Sequence, residues 1–320
     1  MKLGASLPLL ASLLSISIPA QAKPSNHSIA QWLYTSDIDD EALTLLKRPE
    51  IQGVQSLYTW KSLEPQRDQY DFSAIANDLN RTRSQGKHLW VQIQDRSFST
   101  AYNPVPNYLH KPIYNNGSVP QCDGDDCGNN FVPGGWATCQ WNPHVRERFQ
   151  RLLKALAIAF DDKVYGFNLP ETSIEVESNT TSGYTCQKYF EGTLDNAAYA
   201  ASVFNRSYVV QYVNFWPCGW ANENNYMSDS FEFFAANGVG VGGPDDIPYK
   251  KTMENNAYPY MSKYRNKVPI NVVAVQEPDL AATNPKTNKP FTKDEFLDFA
   301  EKQLGSQILF WALSAPWLHQ

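Results

Sequence analysis

The sequence predicts an α/β protein built as a single (β/α)8 TIM barrel, and three observations support this fold class. Strand-like and helix-like patterns alternate eight times along the chain, mostly through short connections, which favours parallel strands. The length of 320 residues accommodates one barrel of about 250 residues with insertions. The first strand is followed by Thr35-Ser-Asp-Ile-Asp-Asp40, which lacks the Gly-rich turn of a doubly wound nucleotide-binding sheet.

Apolar runs that end at turns mark the elements of the first half of the chain. Ser73 is a suitable N-cap for the second helix, and the third helix carries apolar residues at helical spacing. The predicted strands are Ala30–Thr35, Val54–Trp60, His88–Gln94 and Val164–Leu169, and the predicted helices are Asp39–Leu46, Ser73–Gln85 and Pro143–Phe160. A long loop, Ser97–Trp141, follows the third strand, and a loop of this length in a compact domain usually has a function.

The second half of the chain continues the alternation. The predicted strands are Tyr208–Phe215, Val239–Val241, Ile270–Val275 and Gln307–Leu313, and the predicted helices are Thr193–Phe204, Asn225–Asn237, Thr252–Tyr264 and Thr292–Leu304. Pro259 is expected to kink or split the third of these helices. Thr292 and Glu295 form a capping box for the last helix, and Gly305 ends it.

Residues 1–22 have the features of a secretory signal peptide. Lys2 precedes an apolar run from Leu7 to Ile18, and Ala20-Gln-Ala22 resembles a cleavage site. The run is too short to cross a membrane, and no other segment is a candidate span. We therefore expect residues 23–320 to form one domain that is monomeric and either secreted or periplasmic.

The charge pattern narrows the range of partners. The formal net charge is −6 and is spread without blocks, so nucleic acid is not an expected partner. A strongly anionic polymer is disfavoured as a substrate unless a local basic cleft overrides the net charge. The five histidines do not cluster with the cysteines, and we expect neither a metal site nor a cofactor.

Five cysteines in an exported chain predict disulfide bonds. Cys122 and Cys127 flank Asp-Gly-Asp-Asp and are expected to close a small loop. A second bond between Cys139 and Cys186 would leave Cys218 free, although sequence alone does not determine the connectivity. The loop also has some features of a calcium site, but it lacks the acidic residue at position 12 of an EF-hand.

Two glutamates stand where parallel strands end. Glu171 follows the strand Val164–Leu169, and Glu277 follows the strand Ile270–Val275. In an α/β barrel these positions lie at the carboxyl-terminal face, where active sites are built. Two carboxyl groups that face each other can hydrolyse a glycosidic bond. Glu175 is a rival to Glu171. The structural alternative for Glu171 is a helix-capping or salt-bridging role, and for Glu277 it is a loop carboxylate beside Pro278 and Asp279.

The order of strands and the positions of these glutamates resemble the clan A retaining glycoside hydrolases. The stretch from Trp60 to Phe72 is also similar to the W-x-x-x-E-P-x-x-x-x-Y-D-F segment of family 42 and its relatives. The resemblance implies that Glu171 is the acid/base and Glu277 the nucleophile. The clan has Asn directly before its acid/base, whereas here Pro170 holds that position and Asn168 lies upstream.

Other polar and aromatic residues near the strand ends are candidates for binding a sugar. The polar candidates are Gln94, Arg96, Asn168, Asn214 and Gln276. The aromatic candidates are Trp60, Trp216 and Trp311 near strand ends and Trp136 and Trp141 in the long loop, and core packing is the alternative for each.

These features together predict a catalytic domain at residues 23–320 that cleaves β-linked poly- or oligosaccharides with retention. The long loop, as a wall of an extended cleft, slightly favours endo action. One alternative is a non-catalytic barrel that binds carbohydrate. Another is a barrel hydrolase or lyase that uses Asp245, Asp246 or a metal.

Overall fold

The computed structural model describes residues 27–124, 127, 131–177 and 180–320. The predicted signal peptide at residues 1–22, and Asp125 and Asp126 of the suggested calcium loop, lie outside the described residues. Within the described part, the strands are β1 (Ala30–Thr35), β2 (Ile51–Thr59), β3 (His88–Gln94), β4 (Ser118–Cys122), β5 (Pro133–Thr138), β6 (Gly166–Leu169), β7 (Tyr208–Tyr212), β8 (Gly240–Gly243), β9 (Asn271–Val275), β10 (Thr283–Asn284), β11 (Lys289–Pro290) and β12 (Ile308–Ala312). The α-helices are α1 (Asp40–Leu46), α2 (Trp60–Leu63), α3 (Ser73–Ser84), α4 (Pro143–Phe160), α5 (Cys186–Val203), α6 (Tyr226–Ala236), α7 (Lys251–Glu254), α8 (Ala257–Tyr264), α9 (Glu277–Leu280) and α10 (Lys293–Asp298).

Eight of these strands close into a parallel barrel, which confirms the predicted fold class. Their order is β1-β2-β3-β6-β7-β8-β9-β12, and β12 pairs with β1 to complete the ring. The remaining strands form two small antiparallel pairs, β4–β5 and β10–β11. Since all eight barrel strands are parallel, their carboxyl ends meet at one face of the molecule.

Large aromatic side chains fill the inside of the barrel. Trp32, Trp90 and Phe310 pack together there and are fully buried. The neighbouring strands carry glycines because these rings leave no room for a side chain. A Cβ on Gly166 would lie 2.6 Å from the Trp90 ring, and one on Gly242 would lie 2.7 Å from Tyr212. The interior is therefore a packed core and not a channel.

The outer helices pack their apolar faces against the strands. In α4 the apolar residues at helical spacing are all buried, as predicted: Val145, Phe149, Leu152, Leu153 and Leu156. The Asn142 side chain caps this helix by accepting from the backbone N–H of His144 at 2.8 Å. Within the described residues, no helix is both long and apolar enough to cross a membrane.

The structure confirms the predicted split of the helix at Thr252–Tyr264, moves the start of one helix and places a π-helical turn at the end of the last one. The break near Pro259 falls at Asn255 and Asn256, between α7 and α8, because a proline ring clashes with the carbonyl four residues before it. The helix predicted to begin at Thr193 begins at Cys186, where Thr185 caps it. The predicted last helix continues beyond α10 as a π-helical turn, Phe299–Leu304.

The long segment after β3 has structure of its own. It contains two 3-10 turns, Asn107–Leu109 and Pro112–Tyr114, and the β4–β5 hairpin. The hairpin is fixed to the barrel where Ser97 pairs with Trp136 through two backbone hydrogen bonds of 2.9 Å. The segment is therefore a folded cap at one side of the barrel mouth.

The disulfide bonds correct one sequence prediction. Cys122 pairs with Cys127, with a Cα–Cα distance of 5.4 Å. Cys186 pairs with Cys218, with a Cα–Cα distance of 6.1 Å, so the expected Cys139–Cys186 bond is wrong. Cys139 is a buried free thiol. The bond between residues 186 and 218 joins the start of α5 to the loop after β7, which lie close because β6 and β7 are neighbouring parallel strands.

We expect the protein to show no reactive thiol while folded and one after denaturation. Burial raises the pKa of Cys139 to about 12 and keeps the group from reagent, so it should react only after denaturation. Thiol counting with and without denaturant, followed by peptide mapping, measures this. Three reactive thiols, or a mapped Cys139–Cys186 peptide, would show that the connectivity is wrong.

Candidate active site at the barrel mouth

A cavity of about 400 Å³ opens at the carboxyl ends of the strands. Its lining includes Glu171, Asp245 and Gln276, each just beyond the end of a barrel strand. Tyr34 and Phe98 add aromatic surface to the same cavity. Carboxyl, amide and aromatic groups thus converge where barrel enzymes carry out their chemistry.

Glu171 is the titratable group most clearly adapted to chemistry in this cavity. Burial, followed by the negative charge of Asp245, raises its pKa from 4.5 to about 7. Arg96, the Asn214 side chain and Lys250 oppose this rise. A carboxyl group with a pKa near 7 holds a proton at neutral pH and releases it readily, which is the requirement for a general acid.

Asn214 holds the Glu171 carboxylate in place. Its Nδ2 donates to Glu171 Oε2 at 2.7 Å and to Ser173 Oγ at 3.0 Å. Its Oδ1 accepts from the backbone N–H of Ser173 at 3.1 Å and of Phe215 at 3.0 Å. Since these N–H groups only donate, the amide orientation is fixed with its nitrogen toward Glu171.

Arg96 has a different role from the one predicted. It is 3% exposed and donates to the backbone carbonyl of Glu171 at 2.6 Å and to the Tyr189 hydroxyl at 2.7 Å. Asp95 accepts from its Nε at 3.0 Å, which completes a buried ion pair. Arg96 therefore holds the backbone of the Glu171 loop from inside the protein, and its side chain is too buried to contact a substrate.

The β4–β5 hairpin supports the same loop from the other side. Gln121 Oε1 accepts from the backbone N–H of Glu175 at 3.1 Å, and the Cys122 N–H donates to the Glu175 carbonyl at 2.9 Å. The backbone of Glu175, the rival acid, is thus fixed to the hairpin by both of its polar groups. The long segment contributes to the site by fixing the position of this loop.

Glu277 lies at the rim of the mouth and not on the cavity wall. It is the exposed first residue of α9. Side chains alternate along β9, with Val272 and Ala274 inside the barrel, and this parity brings Gln276 to the cavity. The charge of Glu277 nevertheless acts on a residue that lines the cavity. Burial first, then Glu277 and then Glu171 raise the pKa of Tyr34 to about 12.

Asp245 is the second carboxylate that lines the cavity. Its Oδ2 lies 2.9 Å from Lys250 Nζ. The neighbouring Asp246 is fully buried, and its carboxyl oxygens have no hydrogen-bond partner among the described residues. Burial and then the charge of Asp279 raise the pKa of Asp246 well above its usual range, which favours its neutral form. Of the two aspartates named as rivals, only Asp245 can reach a substrate.

The tryptophans predicted at the strand ends lie in the core. Trp60, Trp216 and Trp311 are at most 1% exposed, and each indole N–H donates within the protein. Trp141 is 3% exposed, and its ring meets Tyr184 edge to face at 4.9 Å. A sugar cannot stack on these rings. Trp136 is half-buried and remains a candidate.

Asn168 also lies inside the barrel. It is fully buried, and its Oδ1 accepts from Trp90 Nε1 at 3.1 Å. Among the predicted polar residues, Gln94, Asn214 and Gln276 line the cavity. The motif from Trp60 onward is structural as well, since the buried Glu64 accepts from Trp60 at 2.9 Å and pairs with Arg148 of α4.

Several residues that line the cavity were not identified from the sequence, among them Tyr34, Phe98 and Tyr212. Tyr34 and Tyr212 lie on the inner face of their strands, two residues beyond Trp32 and Val210, so strict alternation along each strand would have identified them. Phe98 belongs to a loop and is 60% exposed, and no local pattern predicts its position.

The described residues offer one group of metal-ligand type within 4.8 Å: Cys122, Cys127 and Glu175. Both sulfurs of that group form the disulfide, and a disulfide sulfur is a poor ligand because metals bind the thiolate. This group therefore does not form a metal site.

No protein-family model and no curated protein matches this sequence. Solved structures match over most of the chain. The GH10 structure from Paenibacillus barcinonensis aligns with a TM-score of 0.52 at 11% identity and covers 90% of this chain and 84% of that one. A psychrophilic glycoside hydrolase family 10 endo-β-1,4-xylanase gives 0.53 at 9%, covering 89% and 85%. Endo-glycoceramidase II from Rhodococcus sp. gives 0.54 at 11%, covering 90% and 73%. At identities this low, the structural similarity shows a shared barrel fold alone.

Proposed function

We propose that this protein is a retaining glycoside hydrolase of the clan A type that cleaves β-linked poly- or oligosaccharides. The observation that carries the proposal is Glu171, a carboxyl group at the end of β6 that lines the mouth cavity and has its pKa raised to about 7. The fold shared with solved glycosidases supports it. The signal-like residues 1–22 and two disulfide bonds support export from the cell.

The proposed reaction has two steps. In the first step Glu171 donates its proton to the glycosidic oxygen, while the Glu277 carboxylate attacks the anomeric carbon and the carbon–oxygen bond breaks. In the second step the Glu171 carboxylate takes a proton from water, and that water displaces Glu277 from the anomeric carbon. This two-step reaction requires the carboxyl groups of the acid/base and the nucleophile to lie about 5–5.5 Å apart in the substrate complex.

Asp245 is a second candidate for the nucleophile. It lines the cavity, and its charge is the leading electrostatic contribution that raises the pKa of Glu171. Asp245 Oδ2 forms an ion pair with Lys250 Nζ at 2.9 Å. In this alternative the fold and the acid are unchanged, and only the attacking carboxylate differs.

The cavity wall supports recognition of a neutral sugar. Gln94, Asn214 and Gln276 supply amide groups for hydroxyls, and Phe98 supplies an exposed ring for the apolar face of a sugar. A panel of β-glucans, xylan, mannan and galactan, with release of reducing ends as the readout, tests the proposal. Binding without hydrolysis would favour a carbohydrate-binding protein, and loss of activity with a chelator would favour a metal-dependent enzyme.

The two tryptophans of the cap should respond differently to replacement by Ala. Trp136→Ala should weaken polymer binding and leave cooperative unfolding intact, because its side chain is half-buried. Trp141→Ala should destabilise the fold by about 3–5 kcal/mol, because its ring is buried against Tyr184. Affinity electrophoresis and thermal unfolding of both variants measure this. Equal binding by the wild type and Trp136→Ala would remove Trp136 from the site.

A further inference from the structure

A second cavity lies at the opposite end of the barrel. It has a volume of about 830 Å³ and opens among the loops that precede β3, β6 and β7. We call it the basal groove and define it by Arg83, Lys87, His88, Lys163, Tyr165, Arg206 and Tyr208. His88 begins β3, whereas Gln94 at the end of that strand lines the mouth cavity, so the two cavities are roughly 20 Å apart.

The basal groove concentrates positive charge in an acidic protein. Four Lys or Arg side chains line it against one acid, Asp162, although the whole chain carries a net charge of −6. The adjacent Asp161 does not line the groove, and its carboxylate accepts from the backbone N–H groups of Asn205, Arg206 and Ser207 at 2.9, 3.0 and 2.9 Å. The groove therefore favours an anion.

Three of the cations are held in position. Arg83 donates to the Lys163 carbonyl at 2.7 Å, Lys87 to the Arg48 carbonyl at 3.0 Å, and Lys163 to the Ala159 carbonyl at 2.7 Å. Carbonyl partners leave the positive charges uncompensated. Side chains that are already ordered lose less conformational freedom when an anion binds.

An aromatic floor accompanies the charge. The His88 and Tyr165 rings lie 5.3 Å apart, and the Tyr165 and Tyr208 rings lie 5.6 Å apart. Both tyrosines are 37% exposed, although the Tyr165 ring also packs against the buried Trp32. Exposed rings beside fixed cations suit a ligand that has both apolar C–H faces and anionic groups.

We propose that the basal groove binds an anionic glycan, one that carries carboxylate or sulfate groups, at a site separate from the mouth cavity. Its volume admits a segment of a few sugar rings and not a whole chain. The tyrosine rings would stack on the faces of the sugar rings, and Arg206 with the neighbouring cations would pair with the carboxylate or sulfate groups of the glycan. The proposal does not depend on the hydrolase activity, because no residue of the mouth cavity takes part.

Affinity electrophoresis in gels that contain polygalacturonate tests the charge component. The wild type should be retarded at low salt and much less so at high salt, since screening weakens exposed ion pairs. Arg206→Glu should weaken binding about tenfold or more, the equivalent of one charge-assisted hydrogen bond. Lys188→Glu is the matched control: it makes the same charge change on an exposed residue at the start of α5 and should leave binding unchanged.

The aromatic component needs a second pair of variants. Tyr208→Ala should lose binding, whereas Tyr208→Phe should keep most of it because the ring remains. Thermal unfolding confirms that each variant is folded. The proposal is overturned if the wild type does not bind polygalacturonate or a sulfated glycan such as heparin, or if Lys188→Glu is as damaging as Arg206→Glu. Equal binding of duplex DNA, lost in the same variants, would also overturn it in favour of a general polyanion site.

Discussion

Replacing Glu171 by Gln is expected to slow hydrolysis of an unactivated polysaccharide by about 10²–10⁴-fold, the usual contribution of general acid catalysis. Glutamine preserves the shape of the side chain and can still bind Asn214, but it has no proton to donate to the leaving oxygen. Aryl glycosides with good leaving groups should be affected less in the first step. The ratio of kcat/KM values for the two substrate types is the measurement.

Glu175→Gln is the matched control, because Glu175 is a second glutamate in the same loop and is held against the hairpin. It should leave kcat/KM within a small factor of the wild type. If Glu175→Gln causes the loss and Glu171→Gln does not, the acid has been assigned to the wrong residue.

The same group sets an expected pH dependence. Glu171 must be protonated for the first step, so kcat/KM of the wild type should fall as the pH rises through about 7. The stability of the fold should change in the same direction. The pKa of Glu171 in the folded protein is raised from 4.5 to about 7. The stability that this group contributes is therefore fully present below pH 4.5 and is lost as the pH rises through about 7. Both alkaline losses should be absent in Glu171→Gln.

Replacing Glu277 by Gln is expected to abolish hydrolysis of every substrate, including activated aryl glycosides, by about 10⁴-fold or more, as when a covalent catalyst loses its nucleophile. Glu277 is exposed and opens the short helix α9, so the variant should unfold at the temperature of the wild type. Activity and thermal unfolding on the same preparation separate the catalytic role from a structural one.

Asp245→Asn decides between the two candidate nucleophiles. If Glu277 attacks, this variant should keep substantial activity, and the pKa of Glu171 should fall because a nearby negative charge is lost. If Asp245→Asn is inactive and Glu277→Gln retains most of its activity, the nucleophile is Asp245. Loss in both would leave Asp245 with a role in positioning or charge.

The barrel could be predicted from the sequence because its signal is repeated. Eight strand–helix units each carry their own pattern, and β1 and β3 have the predicted boundaries. The short Gly-rich β8 was the least distinct strand, since Gly240 and Gly242 exist to make room for side chains from other strands. A contact of that kind has no signature in the strand itself.

The lining of the mouth cavity was predicted in outline and less well in detail. Strand-end position correctly brought Glu171, Asn214 and Gln276 to one cavity. It failed for Trp60 and Trp311, because a large ring near a strand end is stabilised more by burial against the helices than by exposure at the mouth. The basal groove was not predictable, because its cations come from segments far apart in sequence.

Azide rescue of Glu171→Gln tests the central claim most directly. In a retaining mechanism this variant accumulates the glycosyl-enzyme from an activated aryl β-glycoside, since no base assists water in the second step. Azide needs no base and should restore turnover, with a β-glycosyl azide as the product. Full activity of Glu171→Gln without azide would contradict the proposal, and so would an inactive variant that azide does not rescue or that yields an α-glycosyl azide.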